Sequence, residues 1–568
     1  MTNKKLIVLL GIILIASFLR FYKLGHNPPS LTWDEVAWGY NAYSLGIDGR
    51  DEYGRFLPIN YLESFGDFKP PVYAYLAIIP VKLFGLNEFS VRFPSAFFGT
   101  LTVLITYFLT KRIFLVNSKS EIRNPKQIQN SKDSLEIKNL KLEIPIIAAA
   151  ILAISPWHIN LSRAAFEANV ATFFIVLGVF LFLRTTANAP RGLATFIVLL
   201  ISISSFVLSM YTFNTARVVA PLLLTVLLIG KIRILNKMKL SLITALAIGF
   251  ILFFPLGLFL KTPQAQLRFN EVNIFSDIGV IERTNQQMLN DNNTLLTRIL
   301  HNRRFAYTVE YLKHYFDHFK PGFLFINGDG NPKFSTQDVG SMYLWDFPFF
   351  VLGVLFLFRQ RIGYWWFIPL WMIIGIIPAA TARETPHALR IETSLPTFQI
   401  LVAYGLAVFL KKISNINIKY LIFTLCFLFL IFNVLYYLHG YYMHYPREYS
   451  GEWQYGYKES IAFVKKQEQN FDEIKITTEL GRPYIYYLFY TKTNPEKFRK
   501  TAQIKREVFG FVNVEKLGKY SFEKNLNVSK KNRKILYVDV KGKEPQNVKV
   551  LKIFYLLNSK PVLIAYTL

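Results

Sequence analysis

Long apolar runs separated by short basic segments dominate this chain. A membrane-spanning helix needs about 20 predominantly apolar residues. Residues 70–86 are apolar too, but Pro80 and Lys82 interrupt them, so we expect that stretch to form a helix lying in the membrane interface. The pattern predicts eleven spanning helices, at 6–22, 91–112, 144–161, 167–184, 192–211, 215–230, 240–260, 343–358, 363–380, 394–410 and 418–438.

The distribution of Lys and Arg favours this count, because cytoplasmic loops carry an excess of both. With 70–86 outside the spanning set, the amino terminus is inside and the carboxyl terminus outside. The first outer loop, 23–90, has seven acidic and four basic residues between Lys23 and Lys69, and a long outer loop covers 261–342. The loops then on the cytoplasmic side are all basic, namely 112–143 (a predicted flexible insertion), 184–191, 231–239, 359–362 and 411–417.

Composition agrees with a multi-pass protein of the plasma membrane. Of 568 residues 52% are hydrophobic, and the net charge of +28 lies largely in short loops, so we expect a lipid bilayer and no nucleic acid as partner. The single cysteine, Cys426, excludes a disulfide framework and a thiolate zinc site. Leu6 to Phe21 lacks a small-residue cleavage site, and we interpret it as an uncleaved signal anchor.

The chain changes character near residue 438. We predict a membrane domain over 1–438 and a small extracytoplasmic α/β domain over 439–568. Helices are expected at Lys458–Gln469 and Arg482–Tyr490. Strands are expected at Glu473–Thr478, Lys534–Val540, Val548–Tyr555 and Pro561–Thr567.

An acidic pair, Asp34-Glu35, follows the first predicted span by about one helical turn. Ionisable residues beside a bilayer are costly and usually functional, and the flanking Trp33 and Trp38 suggest membrane-interface anchors. The pair therefore indicates a site for a lipid-borne substrate. The alternative is that the two acids only solvate a loop or cap a short helix beginning near Thr32.

Further cations and acids fall on the predicted outer face. Each has an ordinary alternative as a membrane anchor, ion pair, helix cap or loop residue. Together they suggest a phosphate held by cations beside a carboxylate base. They are Lys69 before Pro70-Pro71, Arg163 and Glu167 four apart on one expected helical face, Arg217, and Arg383, Glu384, His387 and Arg390.

These motifs resemble the GT-C membrane glycosyltransferases, in the group of the protein O-mannosyltransferases and the aminoarabinose transferase of lipid A modification (family 39-like). The resemblance covers about 1–230 well and 340–410 loosely. It rests on Asp34-Glu35, Lys69-Pro-Pro, Leu83-Phe-Gly85, Arg92-Phe-Pro-Ser95 and Arg163…Glu167. It implies an all-α GT-C membrane domain with about eleven spanning and some interfacial helices, and inverting transfer from a polyprenyl-phosphate sugar at an outward-facing site.

By this resemblance Asp34 is the general base and Glu35 assists or orients the acceptor. Lys69 neutralises the donor phosphate, with Arg163 or Arg390 as a second cation. Arg217 and His387 are further candidates for substrate binding. Glu167 stands where many relatives have Asp, so its catalytic part is left open. Oligosaccharyltransferases of this fold need a divalent metal, but no strong ligand cluster is present, and no metal or other cofactor is predicted.

Two other functions remain open. A transporter or flippase for lipid-linked glycans would also gather cations around a phosphate, but it should show repeat symmetry and charges at mid-membrane. A scaffold that binds cell-wall glycan through residues 439–568 would leave the acidic pair unexplained. Neither the sugar nor the acceptor, whether protein, lipid or glycan, follows from the sequence.

Overall fold

The computed structural model describes residues 3–114, 131–187, 192–413, 415–506, 512–526 and 533–568. Most of them are helical. The helices are α1 (Asn3–Phe21), α2 (Trp33–Asp48), α3 (Val72–Phe84), α4 (Glu88–Phe114), α5 (Ser131–Ile154), α6 (Pro156–Arg163), α7 (Glu167–Ala187), α8 (Leu193–Met210), α9 (Ala216–Gly230), α10 (Ile232–Leu235), α11 (Lys239–Leu260), α12 (Pro263–Val272), α13 (Ile278–Asn290), α14 (Leu295–Leu300), α15 (Arg303–Asp317), α16 (Asp346–Gln360), α17 (Phe367–Ile376), α18 (Thr397–Lys412), α19 (Ile416–His439), α20 (Tyr445–Glu448), α21 (Tyr457–Gln467), α22 (Pro483–Tyr490) and α23 (Pro495–Thr501).

The strands form two sheets. β1 and β2 make an antiparallel hairpin, and the other seven form one mixed sheet in the order β4-β5-β6-β3-β7-β9-β8, with β3 parallel to both β6 and β7. The strands are β1 (Leu62–Ser64), β2 (Asp67–Lys69), β3 (Glu473–Thr477), β4 (Ala502–Arg506), β5 (Val512–Leu517), β6 (Tyr520–Glu523), β7 (Ile535–Val540), β8 (Lys549–Tyr555) and β9 (Pro561–Thr567).

All eleven predicted spans fall on helices. In the described part of the chain, five helices are long and apolar enough to cross a membrane, or six if the bent pair α5–α6 is one span. The others are shorter or carry more charge, so the count of eleven stays a prediction. The expected interfacial helix is present as α3, with Pro80 inside it.

Three expectations are corrected or lie outside the described residues. The predicted span 144–161 is not continuous, because α5 ends at Ile154 and α6 begins at Pro156 with a bend of 53°. The long loop 261–342 contains the helices α12 to α15. In the predicted cytoplasmic loops, residues 115–130, 188–191 and 414 lie outside the described residues, whereas the chain is helical from Ser131.

Two compact units make up the chain. Unit 1 consists of Met1–Arg20, Phe97–Ser162 and Glu167–Tyr437, and unit 2 of Phe21–Ala96, Arg163–Phe166 and Leu438–Leu568. Residues 439–568, predicted as a separate domain, thus share a unit with the whole of the first outer loop, 23–90. The predicted α/β character of 439–568 is confirmed, and the sequence missed α20, α23 and the strands β4 to β6.

Unit 1 is held by close backbone contact and by one buried arginine. A Cβ on Gly353 of α16 would lie 2.0 Å from the carbonyl oxygen of Leu401 in α18, so glycine permits this helix contact. Arg20 of α1 donates to the carbonyl oxygens of Ala153 (3.0 Å) and Leu152 (3.3 Å). It thereby satisfies groups that the end of α5 would leave without partners.

Unit 2 packs α2 against α22. A Cβ on Gly39 of α2 would lie 2.5 Å from Phe489 of α22 and 2.5 Å from Val91 of α4. Glycine is therefore what lets α2 approach both helices. Trp38, expected at the membrane interface, is instead buried with its ring centroid 5.6 Å from that of Tyr73, because α2 is covered by α3.

Candidate active site

Helix α2 begins with a capping box. The hydroxyl of Thr32 accepts from the backbone N–H of Glu35 (3.3 Å), and the Glu35 carboxylate accepts from the N–H of Thr32 (3.0 Å). This reciprocal arrangement satisfies two donors that a helix start leaves unpaired. The capping alternative is thus confirmed for Glu35, and it fixes the direction in which both acids leave the helix.

Glu35 is almost fully buried, with 1% of its side chain exposed beside an Arg92 that is 0% exposed. Its Oε1 accepts from Arg92 Nε (2.9 Å) and from the N–H of Ala165 (2.9 Å), and its Oε2 accepts from Arg92 Nη2 (3.3 Å) and from Thr32. Both carboxylate oxygens therefore have two donors each. A carboxylate so occupied is suited to holding α2, α4 and the turn before α7 together.

Asp34 has the opposite environment. Successive side chains of a helix diverge by about 100°, and Asp34 leaves α2 with 53% of its side chain exposed. Its Oδ1 accepts from the ammonium of Lys69, which is 7% exposed at the end of β2. The ammonium lies 5.3 Å from the ring centroid of Trp38 and 5.1 Å from that of Phe65. The rings of Trp38 and Phe65 thus form a recess that holds the Lys69 ammonium against the exposed carboxylate of Asp34.

Arg163 is fully buried in unit 2 and binds backbone. Its Nε donates to the hydroxyl of Tyr441 (3.1 Å), and its Nη2 donates to the carbonyl oxygens of Tyr22 (2.7 Å) and Asn27 (2.9 Å). The predicted helical face shared by Arg163 and Glu167 is wrong, because α6 ends at Arg163 and α7 begins at Glu167.

The other predicted site residues lie in unit 1. Glu167 is the first residue of α7. Nearby Glu392 is fully buried, and neither of its carboxylate oxygens has a hydrogen-bond partner among the described residues. Burial, and to a smaller degree the charge of Glu167, raises the pKa of Glu392 well above its usual value. Glu392 is therefore a buried acidic neighbour of Glu167, and the sequence did not single it out.

His387 and Arg390 follow in the same outer segment. His387 is buried 3.7 Å from Asp329, its ring centroid 4.7 Å from that of Phe334. Burial, with the charge of Arg390, lowers the pKa of His387 well below its usual value, so this contact is no ion pair. Arg390 donates to the carbonyl oxygen of Glu384 (3.2 Å).

Arg217 stands at the start of α9. Its Nε donates to the carbonyl oxygen of Met210 (3.3 Å), and its guanidinium lies 5.9 Å from the ring centroid of Phe259.

In unit 2, the structure brings together Asp34 with Lys69, and Glu35 with Arg92. Within the described ranges, no group of three or more His, Cys, Asp or Glu side chains is arranged to hold a metal ion.

Arg92 is a residue of the candidate site that the sequence did not single out. It belongs to the quoted Arg-Phe-Pro-Ser motif, but no part was assigned to it. Besides Glu35, it donates to the carbonyl oxygens of Leu24 (3.2 Å), Pro28 (2.8 Å) and Ser30. An arginine near the start of a predicted spanning helix, just after a loop rich in acids, was the available signal.

Comparison with known proteins supports the resemblance and the fold. Residues 11–117, which include Asp34, Glu35, Lys69 and Arg92, match the family model "Dolichyl-phosphate-mannose-protein mannosyltransferase". The crystal structure of ArnT from Cupriavidus metallidurans in the apo state superposes with a TM-score of 0.53 at 12% identity, over 99% of this chain and 98% of that chain. The chain has the GT-C fold. The predicted fold class and the resemblance to this group are thus confirmed.

Two further relatives complete the comparison. An uncharacterized protein of Aquifex aeolicus is 31% identical over 115 residues, 20% of this chain and 21% of that protein. The oligosaccharyltransferase of Archaeoglobus fulgidus, tethered to an acceptor peptide, aligns with a TM-score of 0.49 at 14% identity, over 86% of this chain and 63% of that one. ArnT has also been solved bound to undecaprenyl phosphate (TM-score 0.49, 12% identity, 100% and 98% coverage).

The buried pair and the open pair predict different costs of mutation. Arg92→Met leaves the buried Glu35 carboxylate without its cation, and we expect a loss of about 3–5 kcal/mol in unfolding free energy. Lys69→Met removes the cation beside the half-exposed Asp34, with an expected loss of about 1 kcal/mol or less. Denaturant unfolding of the purified protein in detergent measures both. Equal losses would contradict the distinction drawn between the two pairs.

Proposed function

We propose that this protein is an integral membrane glycosyltransferase. It moves a hexosyl or pentosyl group from a polyprenyl-phosphate donor to an acceptor hydroxyl on the outer face of the plasma membrane, with inversion and with Asp34 as general base. The observation that carries the proposal is the contact between recessed Lys69 and exposed Asp34. The match of residues 11–117 to a family named for a dolichyl-phosphate-mannose donor supports this class of donor.

Asp34 is the better candidate for the base. A general base must reach the proton that it abstracts, and more than half of the Asp34 side chain is open to solvent. Glu35, which the resemblance makes an acceptor-orienting residue, is buried with both carboxylate oxygens occupied. Glu35 thus acts in catalysis by holding the start of α2, and so Asp34, in place.

Lys69 is the candidate counter-ion of the donor phosphate. A phosphate leaving group needs positive charge as its bond to the sugar breaks, and it needs no acid. The ammonium neutralises Asp34 in the absence of donor. An arriving phosphate competes for that ammonium, so donor binding releases the carboxylate of Asp34 for its work as a base.

The reaction then balances without a cofactor. The acceptor oxygen attacks the anomeric carbon as its proton passes to Asp34. The bond from that carbon to the phosphate oxygen breaks, and its electron pair stays on the polyprenyl phosphate beside Lys69. One carboxylate on the side opposite the leaving group gives inversion at the anomeric carbon.

The remaining residues have supporting roles in the proposal. Arg163 is committed to the carbonyl oxygens of Tyr22 and Asn27, which favours positioning over direct donor contact. Arg390 is the alternative second cation. Glu167, whose charge acts on buried Glu392, is the second acidic site, and Arg217 and His387 remain candidates for substrate binding.

Asp34→Asn tests the general base. The amide keeps the shape of the side chain but cannot take up the proton, so the transfer rate should fall about 10²–10⁴-fold. Donor affinity should not weaken, because the variant removes the competitor for Lys69. The measurement is release of sugar from a panel of polyprenyl-phosphate sugars. Glu88→Gln, which alters an acid paired with exposed Lys458, is the matched control. Near-normal transfer by Asp34→Asn would show that Asp34 is not the general base. If the protein is a transporter, the wild type will transfer no sugar either.

Lys69→Met tests the counter-ion. Methionine retains the apolar stem in the recess of Trp38 and Phe65, but it lacks the charge. Affinity for undecaprenyl phosphate in nanodiscs should weaken by roughly 1.5–3 kcal/mol, the worth of a hydrogen bond to a charged group. Lys458→Met, which removes a cation that is paired with Glu88 and is itself 53% exposed, should leave the affinity unchanged. If both variants bind like the wild type, Lys69 is not a donor ligand.

Reporter fusions test the orientation. The basic loops favour an extracytoplasmic position for residues 439–568, on the same side as Asp34. A fusion after residue 445 should therefore have the activity of an exported reporter, whereas a fusion within 231–239 should behave as cytoplasmic. Cytoplasmic activity after residue 445 would overturn the eleven-span topology and the outer location of the site.

A further inference from the structure

The turn of the β1–β2 hairpin has a backbone conformation that its sequence does not favour. Ser64 pairs with Asp67, and the two residues between them, Phe65 and Gly66, have φ of 60° and 79°. Such two-residue turns need left-handed conformations at both positions and usually carry Asn-Gly. A bulky residue at the first position is strained there. Phe65 must therefore be held by contacts from elsewhere.

Those contacts come from the carboxyl-terminal residues of unit 2. The N–H of Val512 donates to the carbonyl oxygen of Phe65 (2.6 Å). The ring of Tyr484 meets that of Phe65 edge to face at 6.2 Å, and the guanidinium of Arg482 lies 5.5 Å from the Phe65 ring centroid. The strained turn is thus covered by the start of α22 and by β5.

A buried carboxyl group, that of Glu52, joins the same elements. Its Oε1 accepts from the hydroxyl of Tyr484 (2.7 Å), and its Oε2 accepts from the hydroxyl of Ser64 (2.9 Å). Ser64 in turn accepts from Asn41 of α2 (2.8 Å), whose Oδ1 accepts from the N–H of Glu52 (2.9 Å). One network therefore connects α22, the hairpin and the helix that carries Asp34.

The network is sensitive to the loss of a donor. Burial raises the pKa of Glu52 to about 7, and the hydrogen bonds from Tyr484 and Ser64 oppose that rise. Removing the Tyr484 hydroxyl leaves Glu52 with one side-chain donor fewer in a buried site, which carries a free-energy cost. Because Ser64 shares this carboxylate and precedes the Phe65-Gly66 turn, we expect the loss to destabilise the turn.

Lys69 belongs to the same hairpin, so a change in the turn affects its position. Lys69 ends β2, pairs in register with Leu62 and has its ammonium 5.1 Å from the ring centroid of Phe65. We propose that the carboxyl-terminal residues of unit 2 position Lys69 for the donor phosphate. They do so through Tyr484, whose ring contacts Phe65 and whose hydroxyl is linked to Ser64 by Glu52. Tyr484 and Phe65 are positioning residues, and this inference rests on the proposed function of Lys69.

Tyr484→Phe tests the proposal, because it removes only the hydroxyl. Affinity for undecaprenyl phosphate in nanodiscs should weaken about three- to tenfold, the range of coupling transmitted through such networks. The matched control is Tyr457→Phe, a buried tyrosine of the same domain whose hydroxyl has no hydrogen-bond partner in the described part of the chain. The control should bind like the wild type.

Two further variants separate positioning from general loss of structure. In a Lys69→Met background, Tyr484→Phe should have no additional effect on affinity, because its action passes through Lys69. Phe65→Asn, which suits the left-handed turn but removes the ring 5.1 Å from the Lys69 ammonium, should weaken the affinity even with Tyr484 intact. Unchanged affinity in Tyr484→Phe, or an equal loss with and without Lys69, would overturn the inference.

The same measurements distinguish this failure from failure of the proposed function. If Lys69→Met alone leaves the affinity for undecaprenyl phosphate unchanged, the assigned function of Lys69 fails and the inference fails with it. If Lys69→Met weakens binding but Tyr484→Phe does not, only the positioning role is wrong.

Discussion

The buried ion pair of Glu35 and Arg92 is the constraint on which the site depends. Burying two charges costs several kcal/mol for each ion unless hydrogen bonds occupy the remaining donors and acceptors. Here the backbone N–H groups of Thr32 and Ala165 complete the carboxylate, and carbonyl oxygens of the preceding loop complete the guanidinium. The pair fixes the rotation of α2, and that rotation turns Asp34 outward.

Hydropathy was enough to predict helices at the apolar runs but not in the outer loop. A spanning helix needs a long apolar run, and ten of the eleven predicted spans fall on one helix each, whereas 144–161 falls on the bent pair α5–α6. Helices α12 to α15 instead have mixed polarity, since exposed residues such as Leu295 and Phe316 alternate with charges such as Arg304. No long run marks them. The break at Ser155 was missed because hydropathy does not register a change of direction.

The sequence was enough to identify the acidic pair, but it did not predict that Glu35 is buried while Asp34 is exposed. Which acid is buried depends on Arg92, which lies 57 positions from Glu35 along the chain. Local spacing cannot reveal such a partner. The same limit explains Arg163, whose carbonyl partners Tyr22 and Asn27 are brought near it only by the fold of unit 2. Strand β4 was missed because it is an exposed edge strand with charged side chains.

The two acid–cation pairs also differ in whether they can open. A buried pair such as Glu35–Arg92 resists separation, because each ion would remain buried without an opposite charge. The pair of Asp34 with Lys69 has one member open to solvent, so its separation costs little. The proposed transfer, in which a donor phosphate takes Lys69 from Asp34, requires a pair of the second kind, held in place by a pair of the first. Adjacent residues on one helix turn satisfy both requirements, since their side chains point in different directions.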